Sequence, residues 1–187
     1  SDAGGGGGRH PAMFWLANKV NDPSLLWVER SYLKTRKPEA LVLDRLFPAI
    51  MLWSNGISID KISAPKETMW LGNGKNPVAM MRTSWTDPNA IYVATKGGSV
   101  SINHAHMDIG SFVMEADGVR WAMDFGMQDY ESLESKGIKL FGRTQDAERW
   151  TVFRLTNLVH NTLAIDSQHQ LVTGHAPFIA SSNNPAF

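Results

Sequence analysis

Beyond Ser54 every apolar stretch of this chain is short and ends at a turn-forming cluster. Candidate strands lie at 57–62, 68–71, 78–85, 91–95, 110–116, 119–125 and 161–165. Gly72-Asn73-Gly74, Asp87-Pro88-Asn89 and Asp117-Gly118 punctuate them. Asp-Gly between two alternating runs is a strong two-residue hairpin signal, because both turn positions need a positive φ. Many short strands with regular turns suggest an antiparallel sandwich or barrel. The stretch 127–150 is polar and irregular and reads as a long loop with a short helix; loops of that length are often functional.

The first third has a different period. Met13, Phe14, Leu16, Ala17 and Val20 recur at helical spacing behind Pro11, a residue suited to a first turn. Asp22-Pro23 can cap and open a second helix, with Leu25, Leu26, Val28, Tyr32 and Leu33 on its apolar face. A charged break at 34–38 and a short apolar stretch at 41–53, containing Pro48, close this part. The five glycines at 4–8 have no side chains to bury and read as a loop; no Gly-Lys-Ser/Thr follows to make them a phosphate cradle. The division expected is therefore 1–53, helical, and 54–187, β. With 187 residues there is room for one ordinary domain, or a small domain and part of another.

Composition narrows the function. Hydrophobic residues make up 43%, enough for a packed core. Eighteen basic residues balance eighteen acidic ones, which removes the charge argument for nucleic acid or a basic membrane surface. Neither nucleic acid nor membrane is expected as a partner; no apolar run reaches the ~20 residues of a spanning helix. With no cysteine, disulfides, thiolate ligands and a cysteine nucleophile are excluded. Seven Trp and eight Phe are explained first by core packing, and only then by sugar stacking. The chain opens Ser1-Asp2-Ala3 without an initiator Met, which reads as a piece of a longer protein.

The chemistry gathers at histidine. In Asn103-His104-Ala105-His106-Met107-Asp108, residues two apart would share a face if the segment were extended. His104 and His106 would then be two ligands of one metal, or one ligand and one catalytic group. His160 stands before an apolar run, and Asp124 stands between Met123 and Phe125, where an unpaired carboxylate is costly to bury. A divalent cation would offset that cost, and without cysteine a His-His-Asp set is a natural way to hold zinc. The plainer readings are a hydrogen-bonded His160 and an Asp124 paired with Arg120, Arg143, Arg149 or Arg154. Arg143 and Arg149 read as surface ion-pairing residues, or alternatively as contacts to sugar anions; Arg154 reads as a buried structural partner. Tyr32 reads as core, Tyr92 lies in a strand, and Tyr130 is the tyrosine placed for substrate contact. His10, His169 and His175 carry no argument.

The run 103–112, then Trp121-Ala122-Met123-Asp124-Phe125-Gly126, then Phe153-Arg154 to His160-Asn161-Thr162-Leu163 with Ile165-Asp166, resembles the heparinase II/III-like polysaccharide lyases in order and spacing. The resemblance is specific over 100–170 and weaker over 1–60. It implies a mainly β chain: an antiparallel β-sandwich preceded by the end of an α/α toroid, with the rest of the toroid and a C-terminal β portion outside this chain. It implies β-elimination on acidic, uronate-containing polysaccharide such as heparin, heparan sulfate or alginate, in a periplasmic or secreted bacterial protein. His104 looks like the family's catalytic histidine. His106, Asp124 and His160 look like the ligands of a structural zinc. The family's other catalytic groups should come from the toroid, so this piece alone is expected to be inactive. The alternatives are a non-catalytic carbohydrate-binding or structural sandwich that keeps its zinc, for which a second histidine beside the ligands has no use, and a metal hydrolase with an open coordination position.

Overall fold

A computed structural model of the chain describes residues 10–35 and 45–184. The glycine run at 4–8, the break at 36–38 and the start of the apolar stretch at 41–44 lie outside the described residues, as does the side chain of Tyr32. The described chain forms two compact units that divide after Glu67.

In the helical unit α1 (Pro11–Lys19) begins at its proline. The carboxylate of Asp22 then accepts the Ser24 N–H at 3.0 Å and caps the 3-10 turn Pro23–Leu26, which leads into α2 (Trp27–Thr35). Helix α3 (Phe47–Trp53) carries Pro48 in its first turn, where the missing N–H has no intrahelical partner to lose. Phe14 and Ala17 from α1, Leu26, Ile50 from α3 and Ile62 form the buried cluster. The segment 57–62, expected as a strand, folds into the 3-10 turn Ile59–Lys61. Ile59 and Ile62 are three residues apart, so one helical turn puts both against the helices, and the apparent alternation with Ile57 is incidental. Residues 54–67 therefore pack with the helices rather than with the sheet.

The second unit is built on five antiparallel strands in sequence order: β1 (Met69–Gly72), β2 (Val78–Arg82), β3 (Tyr92–Lys96), β4 (Phe112–Ala116) and β5 (Val119–Ala122). The architecture is the mainly β one expected, as an open antiparallel sheet of the kind that makes a sandwich layer. Asp117 and Gly118 join β4 to β5 with φ of 54° and 72°, the two positive values that the turn requires. At Gly98, with φ 99°, an added Cβ would stand 2.2 Å from Asn76 Oδ1. Only glycine lets the chain pass there and bridge to Ala176.

No strand forms at 161–165. Leu163 and Ile165 are largely exposed, so alternation there has no surface to bury against. Asn161 instead uses its side chain to bond Phe112 O at 3.0 Å and Met123 O at 3.1 Å. The stretch 127–150 holds the short helix α4 (Tyr130–Glu134) and runs into the 3-10 turn Glu148–Thr151.

The main core of this unit lies under a connection. Val100 and Met107, from the segment between β3 and β4, are buried with Leu133, Leu140, Trp150, Val152 and Leu155. Met107, with no exposed surface, pins that segment. Replacing Met107 by Ala is expected to lower unfolding stability by about 2–5 kcal/mol, the usual range for truncating a buried methionine. Urea denaturation of the purified chain checks this.

Candidate metal centre

The segment 97–111 connects β3 to β4 and carries the histidine motif. It is not extended. His104 is exposed in a turn with φ 58°, in the left-handed region, while His106 is completely buried. The one-face arrangement that an extended segment would give is thus not adopted: the turn at His104 puts the two imidazoles in different environments, one open to solvent and one in the core.

Backbone and side-chain bonds hold the segment along its length. Arg149 Nη2 donates to Ala105 O at 2.8 Å, and Met107 N–H donates to Leu155 O at 2.9 Å. Lys96 Nζ meets Asp108 Oδ1 at 2.5 Å, an ion pair with little exposure on either side. Burial alone would raise the Asp108 pKa, but it lies below the ordinary carboxylate value, with the Lys96 ammonium opposing that burial. Gln170 clamps Ile109 at both ends, its Oε1 accepting the Ile109 N–H at 3.1 Å and its Nε2 donating to Ile109 O at 2.8 Å.

His106 and His160 lie side by side, ring centroids 5.3 Å apart. His160 Nδ1 meets Asp124 Oδ2 at 2.6 Å, and the other oxygen of Asp124 accepts the Gly126 N–H at 2.7 Å. The bond from His160 is the chief reason that the Asp124 carboxyl is lowered to about 2, against the opposing effect of burial. An ionised carboxylate can only accept, so the Nδ1 of His160 is the donor in this bond. Burial pushes His106 down to about 3, which makes it a neutral imidazole. The structure thus sets His160 against both His106 and Asp124, from three segments far apart in sequence: the β3–β4 connection, the end of β5, and the coil after the 3-10 turn Phe153–Leu155.

Both nitrogens of His106 and Nε2 of His160 are buried with no hydrogen-bond partner among the described residues. Buried polar atoms are nearly always satisfied, so three orphaned imidazole nitrogens within two adjacent rings suit a cation. The imidazole nitrogens of these histidines are donors that zinc accepts. Asp124 fits either as a direct ligand, after giving up its bond to His160, or as the carboxylate that orients His160. Among the described residues no three His, Asp or Glu side chains are grouped as a set that could hold a metal ion.

Three of the four arginines suggested as partners of Asp124 are engaged elsewhere, and Arg143 is exposed. Arg120 pairs with Glu115, and Arg154 donates to the carbonyls of Phe125 and Met127. Arg149 is not the surface residue expected. It is buried, 4.5 Å from the ring centroid of Trp150. The apolar residues Trp150, Val152 and Leu155 on its C-terminal side were the sequence signal for that burial. Tyr130 is half-buried against the core, edge-on to Phe141, and Tyr92 lies near Arg82. The bracing roles of Lys96, Asp108, Asn161 and Gln170 had no signal in spacing, since each bond joins segments distant in the chain.

Replacing Asp124 by Ala leaves the Nδ1 proton of a fully buried His160 without an acceptor. A loss of about 1–3 kcal/mol is expected, the cost of orphaning a buried donor, measured by urea unfolding of the metal-free chain.

A family model described as heparinase II/III-like, C-terminal, matches residues 78–181, more than half of the chain and all of the segments that build this site. A search among curated proteins gave no match. By that match the chain belongs to the heparinase II/III-like family, a family of polysaccharide lyases, and carries its C-terminal region.

Proposed function

We propose that this chain contributes the histidine-bearing β portion of a lyase that cleaves uronate-containing polysaccharide, of the heparin, heparan sulfate or alginate kind, by β-elimination. The observation that carries the reading is the exposed His104, held in a left-handed turn two residues from the buried His106, which lies beside His160 and its partner Asp124. His106, His160 and Asp124 would hold zinc, which when bound supplies a crosslink among three chain segments.

The chemistry asks little of the protein except placement. A base removes the proton from C5 of the uronate, the electron pair forms the C4–C5 double bond, and the C4–O bond breaks with a proton delivered to the leaving oxygen. Charge develops on the substrate carboxylate and must be met by fixed donors. His104 is assigned to C5, as the base or as the donor that neutralises the carboxylate, because imidazole serves either role near neutral pH. A toroid in the full-length protein would supply the remaining groups, and acidic polysaccharide outside the cytoplasm, in a periplasmic or secreted setting, would be the partner. An exposed histidine beside the cluster favours this over a purely structural sandwich, which needs the ligands but not His104.

Two measurements test the reading. The purified chain is expected to retain a single zinc ion by elemental analysis, and His106→Ala to lose it; a chain that takes up no zinc would sink the assignment. In the full-length protein, His104→Ala is expected to cut formation of the unsaturated, ultraviolet-absorbing product by about 10²–10⁴-fold, the usual contribution of an acid–base group, with zinc content unchanged. The isolated chain is expected to bind zinc and cleave nothing.

A further inference from the structure

We infer that Arg149 is a positioning residue of this centre, fixing the backbone of His106 from the same stretch of chain that delivers His160. The inference rests on the zinc reading proposed above.

Arg149 is 8% exposed and sits beside the cluster of Val100, Met107, Leu133, Leu140, Trp150, Val152 and Leu155. Burying a cation among such residues costs several kcal/mol before its partners compensate. Space-filling is therefore no reason for an arginine. What it adds is direction. Its guanidinium faces the ring of Trp150, 4.5 Å from the centroid, and that ring is itself tied by Nε1 to Thr144 O at 2.9 Å. From this support Nη2 donates to the carbonyl of Ala105.

Ala105 lies between His104 and His106. Its carbonyl belongs to the peptide that enters His106, and the Met107 N–H, bound to Leu155 O, belongs to the peptide that leaves it. The two bonds bracket His106 and set the direction in which its ring leaves the backbone. Both come from residues 149–155, and five residues further on the same stretch places His160. The two imidazoles are thus referenced to one short segment, which keeps their separation independent of movements in the sheet. The bond to Ala105 also restrains the turn at His104, whose positive φ costs about 1 kcal/mol or more and persists only where neighbours hold it. No neutral apolar side chain, and no lysine with its single tetrahedral ammonium, reproduces a planar donor stacked on one group and bonded to another.

The test uses the whole 187-residue chain. Zinc affinity is measured by competition with a chromophoric chelator, the visible spectrum is recorded with cobalt in place of zinc, and melting of the metal-free protein is followed in parallel, for wild type, R149M, R149K and H106A. In R149M zinc affinity is expected to fall about 10- to 100-fold, the range for losing a group that supports a ligand, by more than any fall in the metal-free melting temperature accounts for, and the cobalt bands shift. Unchanged affinity and spectrum in R149M, or an affinity that falls only in step with the melting temperature, would overturn the inference. Should R149M fail to fold, R149K carries the same comparison, with weakened zinc binding expected and an unchanged cobalt spectrum and affinity overturning it. A wild type that binds no zinc defeats the functional reading and this inference together. Binding by wild type and not by H106A, with R149M equal to wild type, defeats this inference alone.

Discussion

Two imidazole rings share a buried pocket with their centroids 5.3 Å apart, and one of them leans on a carboxylate through a 2.6 Å bond. Everything around them can be understood as the structure needed to hold that arrangement. Neutral histidines are tolerated in a core only when their nitrogens are satisfied, and here three nitrogens are orphaned among the described residues. The Asp124 bond makes Nδ1 of His160 a donor, and burial keeps His106 neutral.

The core is distributed accordingly. In the β unit the buried apolar cluster lies beneath the β3–β4 connection, where Met107 anchors the chain directly after His106. The strands are half-exposed, and they act as a frame whose ends launch the functional segments: β3 into the histidine turn, β5 into Asp124. The Lys96–Asp108 pair and the two-ended clamp of Gln170 on Ile109 tie this connection down from the frame and from the C-terminal coil. A long connection so braced behaves as part of the scaffold, which is what a site of small, directed groups needs.

That bracing ends at the surface at His104. His104 occupies left-handed backbone and is exposed, while its neighbours on the C-terminal side, from Ala105 through Asp108, are buried. Arg149 and Leu155 hold those neighbours from below, which couples the turn to the segment carrying His160.

Local chemistry alone made much of this legible. The helix behind Pro11, the Asp22 cap, the Asp117-Gly118 hairpin and the five strands of the sheet all follow from short-range preferences, because turns, caps and alternation are decided within a few residues. The three motifs bearing His106, Asp124 and His160 were also visible as motifs. Their meeting was not, since no periodicity links residues 106, 124 and 160; it required the meander to bring the ends of β3 and β5 together and Asn161 to bind Phe112 and Met123. The failures have the same origin. The stretches at 57–62 and 161–165 alternate like strands, but a strand also needs a partner and a surface: Ile59 and Ile62 found helices, and Leu163 and Ile165 met no covering layer among the described residues. Tertiary structure alone decided that Arg149 is buried, that His104 turns away from its neighbour, and that the aspartate pairs with a histidine rather than an arginine, because each depends on which distant segment arrives and how much water it excludes.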